Sequence, residues 1–378
     1  MRVLFSGPGS AGHLFPMVST AQALRAAGHE VVFAGATPVD LLRGTGLPVV
    51  DVGDGTTLFD AFERGGRSGS YRAQGRSQEE TFRVAAVGFA EHSRSTLPGL
   101  VELASAWQPD VIVHAAFQGS APLVARKLKI PSVLHNFGVA SGQWMADRLV
   151  EHLAAEYRAH GVSTERAGAG ESTVLDVVPP SLGGDGTGWR VRYVPYNGGG
   201  VVPVEFFSRA ARPRVAVTLG TVLTEYDGVR SIQLTIDQAA SVDADFLLAV
   251  GDTDLAALGP LPANVRALPW VPLAELLTVS DAIVHHGGSG TMLTAAVAGI
   301  PQLLLPQGAD HFGNADAAEA RGFALRAADD AVDRELLERL LHDGELRSAA
   351  VSTREEIAAL SSPAELVGSF EELLDVAR

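Results

Sequence analysis

A glycine-rich turn with a histidine and two hydroxyl side chains is the strongest chemical feature of the sequence. It reads HGGSGT from His286 to Thr291, between a stretch that favours a strand and a run that favours a helix. A strand–turn–helix connection points unpaired backbone N–H groups at an anion, and glycines let the backbone approach it closely. We therefore predict a diphosphate-binding turn formed by His286, Gly288, Ser289, Gly290 and Thr291.

A carboxylate and an imidazole follow the next predicted strand. Pro301 to Leu305 precede Asp310 and His311. Because neighbouring parallel strands open on the same carboxyl edge, this pair is expected beside the phosphate turn. A carboxylate there can accept hydrogen bonds from sugar hydroxyls. Since Asp310 also precedes a predicted helix, an N-cap is the alternative interpretation.

Two more groups follow predicted strands of the same half. Gly220-Thr221 closes the strand that begins at Arg214, and Trp270 stands between Pro269 and Pro272 after a later strand. A tryptophan face can stack on a planar base, which contributes roughly 1–3 kcal/mol per base. Core packing is the alternative interpretation for this tryptophan.

The candidate general base lies near the start of the chain. His13 ends the glycine-rich turn that follows the strand Val3–Ser6. A histidine has a pKa near neutrality, so it can accept a proton from an acceptor hydroxyl. A purely structural role is the alternative.

The elements that must position these residues alternate between strand and helix in both halves. This pattern predicts an α/β protein with two doubly wound parallel sheets. A proline- and glycine-rich linker ends near residue 200, so we predict domains at 1–200 and 201–361, followed by a terminal helix at 362–378. The stretch 54–76 is rich in glycine and arginine and is predicted to be a surface loop, either a lid or a plain insertion. Pro16 is expected near a helix start, where a missing N–H does no harm.

Composition limits the function classes. The chain has 378 residues, no cysteine and a formal net charge of −15. This excludes disulfides and thiolate chemistry, and it disfavours binding to nucleic acid or an anionic membrane. We expect neither a signal peptide nor a membrane span, and we predict a cytoplasmic protein.

Over essentially its whole length the chain resembles bacterial natural-product glycosyltransferases. The resemblance rests on GHLFP, RYVPYNG, VTLGT, LPWVPL, HHGGSGT and PQGADHFGNA, in that order. It implies a GT-B fold whose two domains face across a cleft, with the last helix returning to the N-terminal domain. It also implies inverting, metal-independent transfer of a deoxyhexose from a dTDP-sugar, or else a UDP-sugar, to a hydroxyl of a hydrophobic aglycone, without a cofactor. A homodimer is left open.

The resemblance also assigns roles to residues. It implies that His13 is the base, that Trp270 and the Val271 backbone hold the nucleotide base, and that Asp310 and His311 face the sugar. Gly220 and Thr221 join the diphosphate turn. For the acceptor we predict contacts from aromatic and histidine side chains: Phe59, Phe62, His114, Phe117, His135 and Trp144.

Three positions depart from the family pattern. Ala115 stands where an aspartate usually supports the base, and Asp110 cannot replace it because it begins its strand, at the opposite edge of the sheet. Thr294 replaces an acidic residue that usually contacts the ribose, and His311 replaces a glutamine. Without the carboxylate, His13 would lose an orienting partner, so either an acidic acceptor such as a phenol or another residue has to assist. The candidates are Glu91, His92, His114 and His135.

Other functions compete with glycosyl transfer. A nicotinamide-dependent oxidoreductase would use Gly7-x-Gly9-x-x-Gly12, but the next strand ends at Ala34 to Thr37 without the required acid. A nucleotide-sugar epimerase or hydrolase of the same fold is the second alternative. A degenerate transferase acting as a non-catalytic partner is the third.

Overall fold

The computed structural model describes residues 1–66, 78–165, 172–184, 186, 188–207, 210–220, 230–251 and 255–377. These residues form two compact units. The first unit holds the described residues up to 66, those from 79 to 192, and those from 360 onward. The second holds those from 193 to 359, so the segment Tyr193–Gly200 belongs to the second unit and not, as the predicted boundary has it, to the first. Among the described residues, no helix is both long and apolar enough to cross a membrane.

The first unit is built on a seven-stranded parallel sheet with the order β3-β2-β1-β4-β5-β6-β7. The strands are β1 Arg2–Ser6, β2 Glu30–Gly35, β3 Val49–Asp51, β4 Val111–Ala115, β5 Ser132–His135, β6 Ser172–Asp176 and β7 Trp189–Arg190. The central strand β4 is buried along its whole length, as expected for a parallel sheet with helices on both faces. The order reverses direction between β1 and β4, which is where an open parallel sheet binds its ligands.

Helices cover both faces of this sheet. They are α1 Ala11–Ala26, α2 Leu58–Arg64, α3 Gln78–Trp107, α4 Ser120–Leu128, α5 Gly142–His152 and α6 Ala154–Ala159. The terminal helix of the chain, Val367–Ala377, also belongs to this unit. Its Phe370 ring packs edge-on against Trp189, with ring centroids 4.9 Å apart, and Glu371 lies 3.5 Å from the His29 ring.

The second unit repeats the architecture with six parallel strands in the order β10-β9-β8-β11-β12-β13. The strands are β8 Arg214–Thr218, β9 Asp245–Leu248, β10 Val265–Ala267, β11 Ala282–His285, β12 Gln302–Leu304 and β13 Ala324–Arg326. The helices are α7 Gln233–Ala239, α8 Leu273–Leu277, α9 Ser289–Ala298, α10 His311–Arg321, α11 Arg334–His342 and α12 Gly344–Ala358; the terminal helix is α13. The order reverses between β8 and β11, so the turns after these two strands meet.

Two local expectations are wrong. The predicted loop contains the helix α2, which begins with a capping box in which Thr57 and Asp60 each bond the other's backbone N–H. The residues 67–76 of that loop lie outside the described part of the chain. Pro16 lies inside α1 and not at its start, because the helix begins five residues earlier at Ala11. The ring therefore removes a hydrogen bond to the carbonyl of Gly12, which is exposed.

Candidate functional site

The diphosphate turn joins β11 to α9 at the reversal point of the second sheet. Gly287 has a φ of +92°, and Gly288 precedes the helix. A Cβ on Gly288 would lie 2.4 Å from Nε2 of His286, so any other residue would force that ring to move. Because the first backbone N–H groups of a helix lack intrahelical partners, those of Ser289, Gly290 and Thr291 are available to an anion.

The preceding histidine fixes the shape of this turn. Nδ1 of His285 accepts a hydrogen bond from the Gly287 N–H at 3.1 Å, so the ring proton is on Nε2, which lies 2.9 Å from Oε1 of Gln302. The Gln302 amide in turn donates to the carbonyl of Met292. Burial lowers the pKa of His285 to about 4, so the ring is neutral and its hydrogen bonds to Gly287 and Gln302 do not change near neutral pH.

The predicted sugar-binding carboxylate is tied to the same turn. Oδ2 of Asp310 accepts hydrogen bonds from the Ser289 hydroxyl at 2.5 Å and from the Asn314 amide at 2.7 Å. It makes no hydrogen bond to the N–H groups of α10, so the capping interpretation is wrong. Since the one proton of Ser289 goes to Asp310, the backbone N–H groups carry the donor function of the turn in this state.

His286 and His311 form a neutral pair beneath the turn. Their rings lie edge-on with centroids 4.7 Å apart, and both side chains are buried. Burial lowers the pKa of His311 to about 3. The pKa of His286 also lies well below its usual value, because of burial and of the neighbouring His311. Neutral His286 therefore offers a single N–H donor. Asp310 remains partly exposed beside them.

Gly220 closes the other side of the turn. It follows β8 with a φ of +68°, and a Cβ there would lie 2.6 Å from the His286 ring. The turn after β8 therefore touches the turn after β11 through this glycine and histidine. The next residue, Thr221, lies outside the described residues.

Trp270 is held by its edge and leaves much of its surface open. Its indole N–H donates to the carbonyl of Gly199 at 3.2 Å, and 47% of the residue is exposed. A Cβ on Gly198, whose φ is +80°, would come within 3.3 Å of the indole, so this glycine permits the close approach. The neighbouring Val271 is buried.

Thr294 has a structural role in place of the family's acidic residue. It is buried, its hydroxyl donates to the carbonyl of Gly290 at 2.6 Å, and it accepts from the Asn197 amide at 3.4 Å. Tyr193 also hydrogen-bonds Thr294, and burial raises the pKa of this tyrosine to about 12. Thr294 thus attaches the Tyr193–Asn197 segment to the first turn of α9.

In the first unit, His13 lies in the first turn of α1 and is surrounded by aromatic rings. Its partly exposed imidazole meets three phenylalanine rings nearly at right angles, with centroid distances of 5.3 Å to Phe89, 5.0 Å to Phe117 and 5.1 Å to Phe137. Phe89 and Phe117 stack on each other at 4.4 Å. The result is an apolar wall beside the candidate base.

Some of the other predicted acceptor residues pack against this wall, and others lie elsewhere. Phe62 packs on Phe89 at 5.1 Å, and Trp144 lies 6.3 Å from Phe82, whereas Phe59 is 52% exposed. His114 and His135 are buried in the sheet. The ring of His135 lies within hydrogen-bond distance of the Thr20 hydroxyl and the Asn136 carbonyl, so both its nitrogens face protein groups.

Comparison with known proteins gives this arrangement a family. Two family models, described as the N- and C-terminal domains of erythromycin biosynthesis protein CIII-like proteins, match residues 22–220 and 233–373. The chain belongs to this EryCIII-like family. It is 39% identical over 374 residues to elloramycin glycosyltransferase ElmGT of Streptomyces olivaceus, covering 97% of this chain and 96% of that one. The protein is thus a nucleotide-sugar glycosyltransferase and not an oxidoreductase.

Solved structures show the same fold. The glycosyltransferase SnogD from Streptomyces nogalater matches with a TM-score of 0.85 and 36% identity, covering 99% of each chain. SsfS6 from Streptomyces sp. SF2575, complexed with thymidine diphosphate, matches with a TM-score of 0.84 and 27% identity over 98% of this chain and 99% of that one. The predicted GT-B fold is confirmed.

The residues proposed to replace the missing aspartate of this EryCIII-like protein are either paired with another residue or buried and neutral. Glu91 pairs with Arg94 at 2.5 Å. Burial lowers the pKa of His92, His114 and His135 to about 4, so these rings are neutral. Asp110 accepts from the Arg2 N–H at the start of β1, so its position at the opposite edge is confirmed.

Sequence reasoning missed several residues of these sites. Phe82, Phe89 and Phe137 contribute rings to the wall beside His13, and Asn314 holds Asp310. The motif PQGADHFGNA contains both Asn314 and Asp310, but the other partners of Asn314, Gly287 and Ser289, lie in another turn. Within the described ranges, no group of three or more metal-ligating side chains is placed to hold an ion. Metal independence stays a prediction from the resemblance.

Proposed function

We propose that this glycosyltransferase moves a deoxyhexose from a dTDP-sugar to a hydroxyl of a hydrophobic natural-product aglycone, with inversion at the anomeric carbon. The observation that carries the donor half is the turn at Gly288 with the Asp310 carboxylate hydrogen-bonded to it. Backbone N–H groups at the start of a helix suit a diphosphate, and a carboxylate suits sugar hydroxyls.

The choice of nucleotide follows from Trp270 and from the relatives. A half-exposed indole fixed through its N–H can stack on a pyrimidine. SsfS6 was solved with thymidine diphosphate. We propose dTDP as the carrier, and a UDP-sugar is the alternative to be tested.

The acceptor half rests on the aromatic wall beside His13. Phe89, Phe117 and Phe137 are buried and pack around His13, so a hydrophobic ring system that reaches the imidazole would meet apolar surroundings. ElmGT is named as an elloramycin glycosyltransferase. No carrier protein or cofactor is part of the proposed reaction.

The proposed reaction is a single displacement. His13 accepts the proton of the acceptor hydroxyl as the oxygen forms a bond to the anomeric carbon. The bond from that carbon to the diphosphate oxygen breaks, and dTDP leaves as the anion. The helix start at α9 stabilises the departing charge, a form of stabilisation that often contributes the largest share of catalysis.

Incubation with a panel of dTDP- and UDP-sugars and of aromatic or macrolide aglycones, followed by mass spectrometry, tests the proposal. We expect glycosylated product and release of dTDP only when an acceptor is present. Release without an acceptor would make the protein a hydrolase. NMR of the product formed from an α-linked donor should show a β linkage, and an α linkage would contradict inversion.

A further inference from the structure

Asn314 connects two turns of the second unit that are far apart in sequence. It lies on the first turns of α10 and is 1% exposed. The nitrogen of its side-chain amide lies 2.9 Å from the carbonyl oxygen of Gly287, 3.0 Å from the Ser289 hydroxyl and 2.7 Å from Oδ2 of Asp310, so its two N–H groups are shared among three acceptors. One amide group therefore holds both the diphosphate turn and the carboxylate beside it.

The two donors to Asp310 converge on a single oxygen. Ser289 and Asn314 both donate to Oδ2. Oδ1 receives no hydrogen bond from any residue that the structure describes. The residue is partly exposed, so a ligand can reach it. A carboxylate held through one oxygen has a fixed orientation, and its other oxygen is left to accept a hydrogen bond from a ligand.

The backbone at this turn is also constrained. Ala309, the residue before Asp310, has a φ of +49°, a left-handed conformation that is unfavourable for residues other than glycine. Such a conformation persists where surrounding contacts determine it, and it is found at ligand-binding turns. The hydrogen bonds from Ser289 and Asn314 supply such contacts.

We propose that Asn314 is a positioning residue that fixes Asp310 for recognition of the sugar part of the donor. Through its bond to Gly287 it also sets the distance between the diphosphate turn and that carboxylate. This inference rests on the proposed function, because it needs a sugar nucleotide as ligand. It goes further because it assigns Asn314 to recognition of the sugar, as distinct from recognition of the nucleotide.

Binding of dTDP and of dTDP-glucose to Asn314→Ala, measured by calorimetry, tests the proposal. We expect the affinity for dTDP-glucose to fall at least about tenfold, since hydrogen bonds to charged groups are the stronger ones, while the affinity for dTDP changes by less than about threefold. Equal losses for both ligands would show that Asn314 merely supports the turn, and would overturn the proposal.

Asn264 provides a matched control in the same unit. Its amide donates to the carbonyls of Ala239 and Ala244, both at 2.8 Å. Asn264→Ala should lower the thermal unfolding midpoint without changing the ratio of the two affinities. A changed ratio in this variant would mean that general destabilisation produces the effect.

Asn314→Asp keeps the side-chain size and adds a pH readout. Two carboxylates at hydrogen-bond distance cannot both ionise without repulsion, so one proton is shared as the pH falls. We expect the preference for dTDP-glucose over dTDP to recover as the pH is lowered from about 8 to about 5, because the shared proton restores a hydrogen bond to Asp310. The terminal phosphate of free dTDP also takes up a proton in this range, with a pKa of about 6, so Asn314→Ala serves as the reference, and the same pH response in both variants would contradict the proposal.

The wild-type protein separates this inference from the proposed function. If the wild type binds neither dTDP nor UDP, nor their glucose conjugates, the proposed function fails. If it binds dTDP-glucose and Asn314→Ala binds it equally well, only the role of Asn314 is wrong.

Discussion

The donor turn after β11 and the surroundings of His13 lie at equivalent places in two similar sheets, yet different interactions stabilise them. The turn after β11 is held by directional hydrogen bonds among His285, Ser289, Asp310 and Asn314. The region around His13 is held by ring contacts with Phe89, Phe117 and Phe137. Both lie at the carboxyl edge of a sheet, where its strand order reverses.

This difference matches the demands of the proposed ligands. A diphosphate and a sugar present oxygen atoms at fixed positions, so donors and acceptors have to be held at matching positions. An aglycone presents a broad apolar surface, and ring contacts tolerate shifts of that surface without losing much free energy. Hydrogen bonds fix atoms on the donor side, whereas the acceptor side fixes only a surface.

The largest expected effect comes from removing the candidate base. We expect His13→Ala to lower turnover at least about a hundredfold, because general base catalysis contributes about 10²–10⁴. Steady-state kinetics with saturating donor measures it. The affinity for dTDP, which belongs to the other unit, should not change. Unchanged turnover would remove His13 from the mechanism.

Trp270 should affect the donor side only. Replacing it with alanine removes the stacking surface, so the affinity for dTDP should fall between about fivefold and about 150-fold, equivalent to roughly 1–3 kcal/mol. Trp270→Phe should keep most of the affinity because it keeps an aromatic face. If Trp270 has only a packing role, the alanine variant will lose unfolding free energy and keep its affinity for dTDP.

Gly288→Ala tests how tightly the diphosphate turn is packed. The new Cβ would lie 2.4 Å from Nε2 of His286, so the ring has to move and the turn with it. We expect the affinity for dTDP to fall about tenfold, in line with overpacking costs of 1–3 kcal/mol. Gly344→Ala is the control, since no atom lies within 4 Å of its added Cβ. Equal affinities in the two variants would show that the turn adapts.

The donor turn could be predicted from the sequence because its signals are local. Glycines at Gly287 and Gly288 follow an apolar strand and precede a helix, and each signal spans only a few residues. The same locality explains the correct prediction of two parallel sheets.

The aromatic wall and the role of Asn314 could not be predicted, because they depend on tertiary structure. Phe89 and Phe137 lie on α3 and after β5, and nothing local in either stretch indicates a neighbour of His13. Asn314 meets Gly287 only after two strands have paired. The helix α2 is a different case: its capping box at Thr57 and Asp60 was present in the sequence, and the surrounding glycine- and arginine-rich composition led to the prediction of a loop.

The smallest expected effect is on the free energy of unfolding. It concerns the buried histidines, which occur in each of the two units. Burial lowers the pKa of His92 to about 4, and both of its ring nitrogens are buried without a hydrogen-bond partner among the described residues. Between pH 6.5 and about 4 the unfolded chain binds a proton at this histidine and the folded protein does not. The free energy of unfolding therefore falls as the pH drops through this window, by up to about 1.4 kcal/mol per pH unit for each such histidine.

His92→Phe should remove one such contribution. Urea unfolding at several pH values should show that the free energy of unfolding falls less steeply with acidification than in the wild type. The difference in slope should correspond to the uptake of at most one proton on unfolding. Near neutral pH we expect equal or higher stability, because two unpaired polar atoms leave the interior and the ring keeps a similar size. An unchanged slope would mean that His92 is protonated in the folded first unit, and the contrast between an apolar acceptor side and a polar donor side would then weaken.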